Sequence, residues 1–141
     1  MKRLLALCVL STLCLAALRA QQPATTSPFK GTFVNKEFRI NLVIDADSAS
    51  ITIPGLSFLG PTNGYMGGNI YGIWMVTSCE VKGSTATFRL SNDQGADSQT
   101  IRLTPAENGG LNYEAIDGNE IKRASGRKLI KIPTKLFFEK Q

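Results

Sequence analysis

From Phe29 onward the chain alternates apolar and polar positions with a period of two, in short runs separated by turn residues. That period belongs to a β-strand lying on a core, because successive side chains of a strand point to opposite faces. Gly31-Thr32-Phe33-Val34 makes a first short strand and Asn35-Lys36-Glu37 a turn. Phe38, Ile40, Leu42 and Ile44 share one face of the next strand, with Arg39 and Asn41 on the other. Asp45-Ala46-Asp47-Ser48 turns the chain, and Ser50 to Pro54 returns with Ile51 and Ile53 inward. Pro54 suits a strand end, where no ladder donor is needed. Ile70 to Val81 is the longest strand candidate, with Gly72 placed to bend or bulge it. Cys79 shares its alternation phase with Ile73, Met75 and Val81, which makes it a small buried hydrophobe.

The rest of the chain continues in the same way. Lys82-Gly83-Ser84 is a tight turn; Ala86, Phe88 and Leu90 then point inward, and Ile101 and Leu103 follow after a polar turn at 92–97. Asn108-Gly109 and Asp117-Gly118 are hairpin signals, since both pairs accept positive φ. Leu111, Tyr113 and Ala115 alternate between them. Short strands at Glu120-Ile121-Lys122, Leu129–Ile132 and Thr134–Phe138 close the chain, the last with Leu136 and Phe138 on one side. No segment keeps a helical period over ten residues. Eight to ten short strands with frequent turns predict an all-β fold: a single antiparallel up-and-down β-barrel of about eight strands, with a β-sandwich as the alternative.

One stretch departs from this texture. Ser48 to Cys79 holds no Asp, Glu, Lys or Arg for 32 residues, although both flanks are charged. It carries the one Trp, two of the three Tyr, two of the three Met and six of the 13 Gly. Its Pro and Gly residues rule out a membrane-spanning helix, which needs roughly 20 uninterrupted apolar residues. By composition, Gly60 to Asn69 is a loop. A loop without charge that bears Tyr65 and Met66 reads either as a segment folded over the end of a core or as a rim over a cavity or docking surface.

The first twenty residues have the form of a signal peptide: Lys2 and Arg3, an apolar run from Leu4 to Leu18, and Ala20 ahead of a cut. Cys14 lies between Leu13 and Leu15-Ala16-Ala17, a context that argues against a lipid anchor. The expected organisation is a leader at 1–20, a polar disordered spacer at 21–28 and one domain at 29–141. The expected location is the periplasm or the exterior, with no transmembrane segment after cleavage. Removing the leader leaves thirteen basic and eleven acidic residues and only Cys79, so no intrachain disulfide is possible. The remaining positive charge collects in residues 122–141, with seven basic residues against Glu139. This asymmetry suits either an anionic partner or a solvated strand face. Aromatic residues are not interleaved with these charges as nucleic-acid binding would want.

The chain contains no His. Ser-His-Asp and Cys-His nucleophile pairs are therefore out of reach, and so are the usual zinc sites. Asp45-Ala46-Asp47-Ser48 resembles the start of a calcium loop but lacks its Gly and its closing Glu, so a turn explains it better. No phosphate-binding Gly motif is present. No catalytic residue, metal ligand or cofactor is assigned.

With Phe29-Lys30-Gly31-Thr32-Phe33-Val34 opening a run of hairpins, the chain resembles the calycin-type, lipocalin-like barrels, whose first strand often carries Gly-x-Trp or Gly-x-Phe. It is also similar to small secreted bacterial β-proteins that end in a basic-apolar strand pair, here Arg127 to Pro133. The resemblance implies a β-barrel and carries over no site residue. The leading expectation is an exported, non-enzymatic binding protein holding a small apolar or amphipathic ligand at one end of the barrel. Phe58, Tyr65, Met66, Tyr71 and Trp74 would supply the contact surface. The alternatives are a module that binds or inhibits an envelope protein through the uncharged 54–72 loop, and an enzyme working with carboxylates alone.

Overall fold

The computed structural model describes residues 27–141; the expected leader and all but the last two residues of the spacer lie outside them. Ten strands follow in order: β1 (Lys30–Asn35), β2 (Ile40–Asp45), β3 (Gly64–Gly68), β4 (Trp74–Lys82), β5 (Thr85–Asn92), β6 (Ser98–Pro105), β7 (Leu111–Ile116), β8 (Lys122–Ser125), β9 (Lys128–Lys131) and β10 (Lys135–Lys140). Eight of them, β1 to β7 and β10, close an antiparallel barrel in which neighbours in sequence are neighbours in space. β10 pairs with both β7 and β1 and closes the ring. The sheet thus closes on itself and is a barrel, not a sandwich.

The inward face of each stave is the apolar phase of its sequence. Phe33, Leu42, Met66, Trp74, Leu90, Ile101, Tyr113 and Phe138, one from each barrel strand, belong to a single buried cluster. Eight strands enclose a space that side chains can fill or that can hold one small ligand. Here side chains from every stave occupy it. Two lids complete the core. Phe29 is buried where β1 begins, and Ile121 and Ile132 are buried at the other end, at the base of the β8–β9 hairpin.

Four expectations are corrected. The Gly-rich segment assigned to a loop contains a stave, since Gly64–Gly68 is β3 and pairs with β2 from Ile44↔Gly64 to Ile40↔Gly68. Here glycine permits the strand. A Cβ on Gly64 would sit 2.2 Å from the Val43 carbonyl oxygen, and one on Gly68 2.6 Å from that of Arg39, so β2 can approach only glycine. The strand expected at Ser50–Pro54 is reduced to one bridge, Ile51↔Thr62, although Ile53 is buried as expected. β2 starts at Ile40 rather than Phe38, because Arg39 takes φ 56° and breaks the alternation. β4 starts at Trp74, and its register shifts between Val76 and Ser78. Trp74 and Val76 therefore face inward ahead of that bulge and half-buried Cys79 after it, while Val81 is exposed.

The last connection also differs from a plain succession of hairpins. Asp117 and Gly118 do take positive φ, but β8 pairs with β9 and not with β7. The two form a separate two-stranded sheet outside the barrel.

Candidate functional site

The barrel is closed unevenly. β1 pairs with β2 over six residues, from Lys30↔Asp45 to Asn35↔Ile40. Against β10 it pairs only at Phe33↔Lys140 and Val34↔Glu139, with one more bond from the Gln141 N–H to the Thr32 carbonyl, 2.9 Å. The strands then part at Asn35. Its buried side chain takes over from the ladder: Nδ2 donates to the Phe137 carbonyl at 2.9 Å, and Oδ1 accepts the Phe38 N–H at 2.8 Å. Outside, Lys36 Nζ reaches Glu139 Oε2 at 2.8 Å across the same seam. That hydrogen bond, reinforced by the carboxylate charge, raises the Lys36 ammonium above its ordinary pKa.

Where the seam opens, a recess of about 690 Å³ is lined by the β1–β2 turn and by residues of both faces of β6, β7 and β10. Phe38, Leu136, Phe137 and Tyr113 give it apolar surface; Lys36, Glu37, Arg102, Glu114, Lys135 and Glu139 give it charges of both signs. Arg102 and Glu114 face each other in the β6–β7 register and approach to 3.8 Å. Tyr113 is buried beside Phe138, with ring centroids 5.7 Å apart. Its hydroxyl has no hydrogen-bond partner among the described residues, and burial pushes its pKa well above the phenol range. Phe38 also carries the guanidinium of Arg123 over its ring at 5.2 Å, which joins the β8–β9 hairpin to the rim. The volume falls in the range of small-molecule sites, while the six charged side chains make the lining more polar than is usual for them.

The structure disperses the five expected contact residues. Phe58 stands 80% exposed on a short 3₁₀ turn (Ser57–Leu59) at the barrel end where β1 begins. Tyr65 is half-buried on the outer face of β3. Met66 and Trp74 lie opposite each other inside the barrel and belong to the core; the Trp74 Nε1–H has no partner among the described residues. Tyr71 is 49% exposed at the far end, where its N–H donates to the Lys122 carbonyl at 2.7 Å. These residues do not converge on one rim. The recess is built instead from residues the sequence reading passed over. One signal was available: with Leu136 and Phe138 inward, Phe137 is an aromatic on the wet face of a strand.

Two sequence features prove to be structural. Asp45 is 1% exposed, and its carboxylate accepts the Ser50 and Ser48 hydroxyls and the N–H groups of Asp47 and Ser48. The Ser50 hydroxyl first, and then the other donors against the opposing effect of burial, bring its pKa down to about 2. Lys30 lies 3.6 Å away. The calcium-like run is thus a turn closed on its own side chains. Cys79 has its thiol pushed up, chiefly by burial and then by the charges of Asp45 and Asp47, the reverse of an activated nucleophile. Among the described residues no three His, Cys, Asp or Glu gather into a metal site, and no helix is long and apolar enough to cross a membrane. In comparison with known proteins, no family model, no curated protein and no solved structure matches the chain.

Proposed function

We propose that this is an exported, non-enzymatic binding protein of the cell envelope or exterior, and that it holds a small, partly apolar ligand in the lateral recess at the β1–β10 seam. The observation that carries this is the recess itself: about 690 Å³ of concave surface beside the one seam that Asn35 closes by its side chain. Phe38, Leu136 and Phe137 supply apolar contact, and Lys135 and Glu37 supply polar ends. On this reading the site lies in the wall and not at a barrel end. The calycin-like resemblance then concerns the way the chain is wound, while the lumen serves as core.

The test is titration with the amphipathic fluorophore 1-anilinonaphthalene-8-sulfonate, followed by native mass spectrometry of protein purified from its host. Expected are saturable binding and a retained added mass. Phe137→Ser should weaken fluorophore binding by roughly tenfold, the loss of one half-buried aromatic contact. Phe58→Ser should leave it unchanged. Non-saturable binding, or sensitivity to Phe58 rather than Phe137, would sink the reading.

A second reading rests on Phe58. An aromatic ring 80% exposed on an uncharged loop, beside half-exposed Leu59, suits an anchor for a protein partner. Here the 54–72 segment divides, and only its first part, at the end where β1 begins, would make the contact. Pull-down from envelope extracts should then lose its partner on Phe58→Ser and keep it on Phe137→Ser.

A further inference from the structure

The β8–β9 hairpin takes no part in the barrel wall, yet it is held firmly. Ile121 and Ile132 at its base are buried and joined by the Ile132 N–H to Ile121 carbonyl bond, 3.0 Å. Asn119 Nδ2 donates to the Ile132 carbonyl at 2.7 Å. What the hairpin presents is unusual in charge. Lys122, Arg123, Arg127, Lys128 and Lys131 fall within ten residues, Arg123 stacked on Phe38, Lys122 half-buried and the other three exposed, and no acid occurs from Ile121 to Phe138. None of the five enters an ion pair among the described residues. The register sets Lys122 directly opposite Lys131. Like charges facing each other across a ladder destabilise it unless a counter-charge is shared between them.

Apolar groups stand among these cations. Opposed residues share a face, so Ala124 and Leu129 lie on the same side as Lys122 and Lys131. Leu129 is 49% exposed, and it lines a shallow cleft of about 200 Å³ with Ile70, Tyr71 and Ala124. Ile130 is exposed on the other face, which it shares with Lys128. Lysines alone would be explained as protection of a sheet edge. A soluble polyanion would need the lysines but not the exposed leucine, isoleucine and tyrosine. A surface that offers phosphate charge above and hydrocarbon below uses both sets. Lysine stems reach headgroups while Tyr71 and Leu129 sit at the acyl boundary.

We propose that the β8–β9 hairpin, with Tyr71, docks the protein on an anionic lipid bilayer. The proposal is independent of the lateral recess.

The test uses the chain from Gln21, which contains every barrel strand and both lids. It is co-sedimented with phosphatidylcholine vesicles, with or without phosphatidylglycerol, at low and high salt. Binding should require phosphatidylglycerol and fall as salt rises. The double variant Lys122→Gln, Lys131→Gln, which removes the two lysines on the Leu129 face, should lose affinity roughly 25-fold, taking about fivefold per lysine. The matching double Lys→Arg variant should bind like the parent, and this separates charge from folding. Leu129→Ser, with all cations kept, should lose severalfold. Lys82→Gln, at the other end of the barrel, should change little. The proposal is overturned by absence of binding to phosphatidylglycerol vesicles. It is overturned equally if Lys82→Gln costs as much as the hairpin variants. Unchanged binding by Leu129→Ser, together with equal capture by soluble polyphosphate, would assign the hairpin to a polyanion instead.

Discussion

The 32 uncharged residues from Ser48 to Cys79 meet two fates. The first half, up to Asn63, leaves the wall as a connection held by one bridge, Ile51↔Thr62, and by the Asp45 carboxylate at its root. The second half enters the wall as β3 and the start of β4. Both halves carry an aromatic that composition alone would treat alike. Phe58 ends 80% exposed and Trp74 1% exposed. The absence of charge therefore did not mark one physical role. In the second half it accompanies the burial of Met66, Trp74 and Val76 inside the barrel. In the first it leaves an uncharged tip at Phe58 and Leu59 that is exposed to water.

The two halves should differ most in their response to change at Trp74. Trp74→Ala should cost about 3–5 kcal/mol in urea unfolding, as for other large-to-small changes in cores. Trp74→Phe should cost far less than Trp74→Ala, because it keeps much of the volume and removes an indole N–H that has no partner among the described residues. Equal losses for the two would show that the site depends on the indole nitrogen.

Next comes Gly64→Ala. Its Cβ would meet the Val43 carbonyl at a φ of 146°, so a loss of about 3 kcal/mol is expected from overpacking and backbone strain. Gly60→Ala in the first half, with open space around it but φ 77°, should cost only about 1 kcal/mol. Equal melting shifts for the two would contradict the close approach of β2 and β3.

The root of the connection should respond to pH. Asp45 has a folded-state pKa of about 2, below its ordinary 3.8. The stability it lends is present above pH 3.8 and is lost as pH falls toward 2. Urea midpoints measured through that window should fall, and Asp45→Asn should flatten the slope. Unchanged slopes would mean that the Ser48 and Ser50 hydroxyls do not hold the carboxylate. The smallest effect is expected at the tip: Phe58→Ser should change stability by less than about 0.5 kcal/mol, as for exposed positions without packing. A larger loss by calorimetry would place the ring in a contact it does not make here.

Period-two alternation was enough to read the inward residues of β2, β5, β6, β7 and β10, because each has one wet face and one dry face. Asn108-Gly109 was legible for a similar reason: its turn needs positive φ, and both residues take it. β3 was hidden. With Gly64, Gly67 and Gly68 among its five residues, it offers only Tyr65 and Met66 to alternate, and its need for glycine exists only once β2 lies beside it. The recess was hidden too. Its rim joins Phe38 to Phe137 and Tyr113, far apart in sequence, and no local signal records a seam that opens.

The chain by itself determined that it would be a set of amphipathic β-staves without histidine chemistry, since side-chain polarity and residue type are local properties. Only the closed barrel decided which hairpin would be left outside, where β4 would shift register and which side of β1 would stay incompletely paired. Those outcomes depend on how the last strand meets the first, and ring closure is a constraint on all eight staves together.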